Sequence, residues 1–318
     1  MEPVAVHTYT IADSIEDYLA EARARGLRSS TIVGAYGWPL RSLWLPWCQE
    51  HGVEAGALTQ AVVNRFTGDL RERRRRDGQL LSPHSVRNYS IVVTRWLAWA
   101  HAQGHLVAAV RVPRTRVGRP VREVVTEDEF SSMVAVARND RDRLMVQMLW
   151  ETGMRASELL HLRLGDLVRH DGRWFLRVLA PYRGGGAKGD RERLVPFPQA
   201  RDLQRYLNGQ RARIDTPSDR VFLSRRRNAL GAYEPLTISG LQQVVNHLAR
   251  DARIERRVHP HLFRHSAVTR WLRQGMDALR VAAILGHTSL EMIQGHYSQL
   301  DHRDAYDALA AVLVRERR

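Results

Sequence analysis

Along residues 11–103 apolar positions recur every three or four residues, the period of amphipathic helices, in four segments. These are IADSIEDYLAEARARG (11–26), SSTIVGAYGWPLRSLWLPWCQEHG (29–52), LTQAVVNRFTGDLRERRRR (58–76) and SPHSVRNYSIVVTRWLAWAHAQG (82–104). Ser, Thr or Ser-Pro opens three of them, as helix caps do. The pattern predicts a four-helix domain over residues 1–110. From 108 to 123 the text AAVRVPRTRVGRPVRE loses its period and carries two prolines, a glycine and five arginines, so residues 111–123 read as an extended basic linker. A second domain over 124–318 opens with TEDEFSSMVAVAR, whose Thr-x-x-Glu predicts a cap, followed by DRDRLMVQMLWETG and the short helix of RASELLHLRLGDL. DGRWFLRVLA and DRERLVPFP read as strands around the glycine-rich loop PYRGGGAKG, and the remainder is helical again. The fold class expected is mainly α, with a small antiparallel β-sheet in the second domain.

Charge changes this picture. The chain of 318 residues carries a formal net charge of +15 and a pI near 11.0, spread along its length, which favours a polyanionic partner. No apolar run reaches the ~20 residues of a membrane span, and the N-terminus lacks the basic-then-apolar order of a signal peptide. Double-stranded DNA is the expected partner, no membrane is, and the expected location is the cytoplasm, on the nucleoid. Two domains joined by arginines suggest a clamp around a duplex. The linker arginines Arg114, Arg116 and Arg119 would follow the phosphate backbone; the run Arg73, Arg74, Arg75 and Arg76 reads either as a phosphate contact or as a solvated face. Trp38, Trp44, Trp47, Trp96 and Trp99, at helical spacings, are expected in the core. The one cysteine, Cys48 in WLPWC, excludes an internal disulfide and reads as a buried small hydrophobe.

The basic residues are 48 arginines and one lysine, Lys188. Where a bare cation suffices this chain uses arginine, so a retained ammonium suggests proton donation: lysine titrates near ~10.4, arginine near ~13.8. The bland alternative is a lysine left by codon bias on a solvated loop.

Four distant segments decide between these: ETGMRASELLHL around Arg155, AKGDRERLVPFP around Lys188, HPHLFRHSAVT around His261 and Arg264, and AAILGHTSLEMIQGHYSQL around His287 and Tyr297. Together they resemble the tyrosine recombinase (phage integrase) family, in its Xer-like form, whose catalytic set is Arg, Lys, His-x-x-Arg, His or Trp, and Tyr. Every element is present in the family's order. The resemblance covers nearly the whole chain, since the first domain looks like the family's core-binding domain, and it implies a two-domain DNA clamp without an arm-binding domain. His287 and Tyr297 stand ten residues apart, where the family usually has nine. Tyr306, inside the final amphipathic helix, is the rival nucleophile.

The residue types also suit the chemistry by themselves. A phosphodiester under attack becomes pentacoordinate, and its oxygens need fixed cations, which Arg155 and Arg264 can present as forks. His261 and Arg264, three apart on a helix, lie on one face. His287 would donate a further hydrogen bond. Tyr297, with a phenol pKa of ~10, needs a base to attack, and His261 is the candidate; Lys188 would return a proton to the departing 5′ oxygen. His265 reads as a supporting histidine. GGGAKG lacks the Gly-Lys-Ser/Thr of a P-loop, and His261 with His265 lacks the glutamate of HExxH, so neither ATP, nor a metal, nor any other cofactor is expected. The activity expected is site-specific DNA recombination through a 3′-phosphotyrosine and, as the resemblance implies, a Holliday junction in a homotetramer. The C-terminal helix, with the stripe DAYDALAAVLV, would dock on a neighbouring protomer. The alternatives weighed are a type IB topoisomerase-like nicking-closing enzyme and a catalytically silent DNA-binding regulator.

Overall fold

The computed structural model of the chain describes residues 9–27, 29, 31–75, 77–106, 108–113, 123–180, 185–186 and 192–286. The chain divides into two compact units, Met1–Pro120 and Val121–Arg318. Lys188, His287, Tyr297, Tyr306, Arg76, Arg114, Arg116, Arg119 and the C-terminal helix expected over 301–318 lie outside the described residues.

In the first unit, helix α1 (Ile11–Ala24) opens on a capping box in which the Thr10 hydroxyl accepts from the Asp13 amide and the Asp13 carboxylate accepts from the Thr10 amide. Ile11, Ile15, Leu19 and Ala22 form its buried stripe. The second amphipathic segment is helical without interruption over residues 31–50, but it is not a regular α-helix. Wide turns over Thr31–Gly37 and Leu40–Trp44 precede α2 (Leu45–Glu50). Pro39 has no amide to donate, and a Cβ on Gly37 would sit 2.9 Å from the Ile32 carbonyl oxygen; the helix winds more widely here than the regular one expected. Trp38, between the two wide stretches, faces outward. It is 45% exposed, with its ring 5.3 Å from that of Tyr89, which corrects its assignment to the core. Trp44, Trp47 and Trp96 are core residues grouped with Phe66, and Cys48 is buried beside them. Trp99 is half-buried against Tyr18. α3 (Gln60–Glu72) and α4 (Pro83–Ala102) complete the unit. Because α3 stops at Glu72, the arginine run leaves the helix: Arg74 bridges to Leu80, and Arg73, Arg74 and Arg75 are exposed.

The second unit begins with α5 (Glu127–Ala135), opened by the Thr126–Glu129 capping box its sequence predicted. α6 (Asp140–Thr152) and α7 (Ala156–Leu160) follow, then a three-stranded antiparallel meander of β1 (Leu167–His170), β2 (Arg173–Val178) and β3 (Arg193–Pro196). Leu176 faces Val195 in the β2–β3 register, and both are buried. After α8 (Ala200–Tyr206) comes a hairpin, β4 (Leu223–Arg227) with β5 (Tyr233–Pro235), which the hydrophobic pattern did not predict. Its arginines 225–227 are exposed and break the alternation that marks a strand, and Asn228 and Gly231 (φ 76°) make its turn. α9 (Ile238–Asp251), α10 (Pro260–Arg273) and α11 (Ala278–Leu285) close the described chain.

Met145, Met148 and Leu149 of α6, Leu262 and Phe263 of α10, Leu241 and Val245 of α9 and the inner face of the sheet share one core. A smaller core joins Ala267, Val268, Trp271 and Leu272 of α10 to Val281 and Leu285 of α11. No helix among the described residues is long and apolar enough to cross a membrane.

Candidate functional site

The TGMR stretch makes a sharp joint. α6 ends on Gly153 in the left-handed region (φ 58°), which favours glycine, and a Cβ there would press on Leu285 at 2.9 Å and Ala267 at 3.0 Å. Two residues on, Arg155 is the N-cap of α7. Its backbone amide donates to Glu158 Oε2 at 2.8 Å and its Nη1 to Glu158 Oε1 at 2.8 Å.

Glu158, whose side chain is wholly buried, is the centre of the site. From β3, Arg193 donates through Nη1 to Oε1 at 3.1 Å and through Nη2 to Oε2 at 2.9 Å, a bidentate pair. From α10, Arg264 brings Nη1 to 4.0 Å from Oε2. Three guanidiniums therefore surround one carboxylate, and three positive charges less one negative leave +2. Burial alone would push Glu158 up, but the hydrogen bond and charge of Arg193, then those of Arg155, outweigh it and hold the carboxyl below its ordinary value. Burial, followed by the charges of Arg155 and Arg193 and opposed by Glu158, brings Arg264 down to about 9, so it stays cationic at neutral pH.

The arginines also grip the end of α11. Arg264 Nη1 donates to the Gly153 carbonyl and Nη2 to the Leu285 carbonyl, both at 2.9 Å, while Arg193 Nε donates to the Ile284 carbonyl at 2.8 Å. These are last-turn carbonyls that a helix leaves without intrahelical partners, at the negative end of its dipole. Gly286 caps α11 in the left-handed region (φ 65°), and the next residue in sequence is His287.

Gly185 and Gly186, in the glycine-rich loop, pack backbone against backbone. A Cβ on Gly185 would lie 1.9 Å from the Leu179 carbonyl oxygen, and one on Gly186 2.2 Å from that of Ser157. Only glycine allows backbone to pack so closely on α7, and the Ser157 hydroxyl donates to the Gly186 carbonyl at 3.1 Å. The segment two residues before Lys188 is thereby seated beside Arg155's helix.

Arg155 and Arg264, 109 positions apart in sequence (264 − 155), thus meet around Glu158. His261 is on the first turn of α10; it is exposed where Arg264 is buried, and its ring lies 4.5 Å from that of His265 at 74°. The sequence reading missed Glu158 and Arg193. Glu158 had a local signal, its place three residues after an N-cap, where a carboxylate reaches back to the amide; Arg193 had none among 48 arginines. Arg74 Nη1 donates to the Gly78 carbonyl at 2.7 Å, and Arg75 pairs with Asp77 at 2.6 Å. Elsewhere in the unit a groove of 920 Å³ is lined by Arg138, Arg225, Arg226 and Arg250 together with Gln243 and His247; none of the cluster's residues lines it.

Known proteins resemble this chain in sequence and in fold. Residues 123–303 match the model of the phage integrase family. The tyrosine recombinase XerA of Pyrococcus furiosus is 33% identical over 215 residues, which are 66% of this chain and 69% of that protein. Among solved structures, the XerH site-specific recombinase bound to palindromic difH substrate in a post-cleavage complex superposes with a TM-score of 0.68 at 19% identity, over 94% of this chain and 84% of that one. A lambda integrase tetramer bound to a Holliday junction superposes with a TM-score of 0.64 at 15% identity, over 91% and 82%. With its family match spanning more than half its length, the chain belongs to the phage integrase family of tyrosine recombinases.

Proposed function

We propose that this protein is a site-specific DNA recombinase that cleaves and rejoins strands through a 3′-phosphotyrosine. The observation that carries the reading is the net +2 of the guanidinium cluster held by buried Glu158, at the joint from which the chain continues towards His287. A cluster of this kind matches a phosphate that gains negative charge on its non-bridging oxygens in the transition state, and it is fixed before the substrate arrives.

In the cleavage step the Tyr297 oxygen bonds to phosphorus as the bond to the 5′ oxygen breaks. The phenol proton passes to His261, and the Lys188 ammonium gives a proton to the departing oxygen. Arg155, Arg264 and His287 hold the non-bridging oxygens. Rejoining runs the same steps backwards with a 5′ hydroxyl as nucleophile, and the phosphotyrosine ester conserves the bond energy, so no external energy source enters. Strand exchange passes through a Holliday junction within a tetramer, the assembly in which lambda integrase is seen, and the C-terminal helix docks on a neighbouring protomer. The boundaries proposed are a core-binding domain over 1–110, a linker over 111–123 and a catalytic domain over 124–318. The exposed Arg73, Arg74 and Arg75, with Arg76 and the linker's Arg114, Arg116 and Arg119, contact phosphates, and the site of action is the nucleoid.

The test is covalent capture. The protein is incubated with a pool of randomised duplexes, each carrying a nick that prevents religation, and attached strands are sequenced after denaturation and proteolysis. Attachment at Tyr297, with a shared sequence among the captured strands, supports the reading. Attachment at Tyr306, or none at all, overturns it.

A further inference from the structure

We propose that Arg193 is a positioning residue of the cleavage site: it locks the C-terminal end of α11 onto Glu158, fixing both the fork of Arg155 and the backbone that leads into His287. This rests on the function proposed above.

The guanidinium of Arg193 faces two ways. One edge holds both oxygens of Glu158, which leaves each oxygen a second lone pair, and Arg155 takes both, one through its amide and one through Nη1. Remove Arg193 and the carboxylate is free to rotate, so Arg155 loses the rigid partner that aims it. The other edge, at Nε, holds the Ile284 carbonyl. Gly286 confirms how closely α11 is seated on this side chain, since a Cβ there would lie 3.1 Å from both Cδ and Nη1 of Arg193.

Charge works in the same direction. Glu158 attracts whichever guanidinium is nearest, and Arg193, only 10% exposed, occupies it from below. Arg155, 22% exposed, keeps donors for a phosphate. Without Arg193, Glu158 would draw Arg155 and Arg264 inward, away from the substrate. Arg193 also stands five positions after Lys188 in the chain (193 − 188), so a single side chain ties the strand that follows the lysine to α7 and α11.

The experiment compares Arg193→Gln and Arg193→Lys with the unaltered protein on a nicked duplex obtained by the capture described above. Single-turnover attachment by Arg193→Gln should fall roughly 10²-fold, the effect of a misplacement of about 1 Å, while the dissociation constant for the same duplex changes less than about threefold. Lysine restores the charge but has one ammonium, which reaches Glu158 or Ile284 and not both, so Arg193→Lys should stay within about tenfold of the glutamine variant. Hydrogen exchange on the protein alone gives a readout that needs no DNA. Amides of residues 278–286 should exchange at least tenfold faster in either variant, with the buried amides of α6 and α10 unchanged.

Should Arg193→Gln fail to fold, Arg193→Lys carries both measurements. Wild-type attachment rates, or faster exchange spread over the whole unit, overturn the proposal. If the unaltered protein captures no DNA, the recombinase reading fails instead, and local exchange at 278–286 still decides whether Arg193 holds α11.

Discussion

Replacing Glu158 by glutamine keeps the shape of the side chain and removes the charge at the centre of the cluster. Four hydrogen bonds end on its carboxylate: Oε1 accepts from Arg155 Nη1 and Arg193 Nη1, Oε2 from the Arg155 amide and Arg193 Nη2. Whichever oxygen becomes an amide nitrogen, two donors lose their acceptor and face another donor. At about 1.5–3 kcal/mol per bond involving a charged group, the loss is about 3–6 kcal/mol, in line with the ~3–5 kcal/mol for breaking a buried ion pair from one side. For a unit of this size that amounts to a melting-temperature drop on the order of 10 °C. Calorimetry at pH 7 should show the transition of the second unit moving and that of the first unit unmoved, since their cores are separate. The pH dependence has a definite sign. A carboxyl held below its ordinary value contributes stability above its unfolded value of 4.5, lost as pH falls through the folded value. The gap between wild type and variant should therefore close in acid below pH 4.5. A gap at pH 7 within about 0.5 kcal/mol, or one that does not narrow in acid, would refute the reasoning.

Lys188→Arg should bind DNA normally and lose most of its cleavage rate, and a substrate with sulfur at the scissile 5′ bridging position should restore it, because that leaving group needs no acid; equal rescue of Arg155→Ala would rule out the proton-donor role. Arg264→Ala should slow cleavage by a factor corresponding to about 3–4 kcal/mol with far less effect on binding, measured as single-turnover attachment. Glu151, at the end of α6, is pushed up to about 7 by burial and then by Asp202, against Arg270, so its ionisation opposes folding above that value. Glu151→Gln should be more stable than wild type at pH 8 and lose that advantage as pH falls from about 7 towards 4.5, read from thermal unfolding across the range. Affinity for DNA should fall steeply and linearly on a log–log salt plot, given the +15 charge; a flat plot would contradict a phosphate-dominated interface.

Periodicity and motif order were enough to read most of the fold and two of the three arginines of the cluster. The 3.6-residue stripe of α1, the capping box of α5 and the alternation in β2 are local properties, and local sequence encodes them directly. Arg155 and Arg264 were legible because each stands in a distinctive phrase, TGMRASEL and HxxRH. Lys188, singled out because it is the one lysine of the sequence, lies outside the described residues.

Tertiary structure decided what those phrases could not. Trp38 is out of the core because the wide turns on either side of it shift the face that a regular helical period would bury. The β4–β5 hairpin was hidden by a strand whose exposed positions are arginines. Above all, Glu158 and Arg193 belong to the site only because α7, β3 and α11 pack at one point, 35 positions apart in the chain for that pair (193 − 158). One arginine among 48 has no local mark. Its role comes from being buried, with its two edges matched to a carboxylate and to a helix end, and burial of that kind exists only once distant elements have assembled.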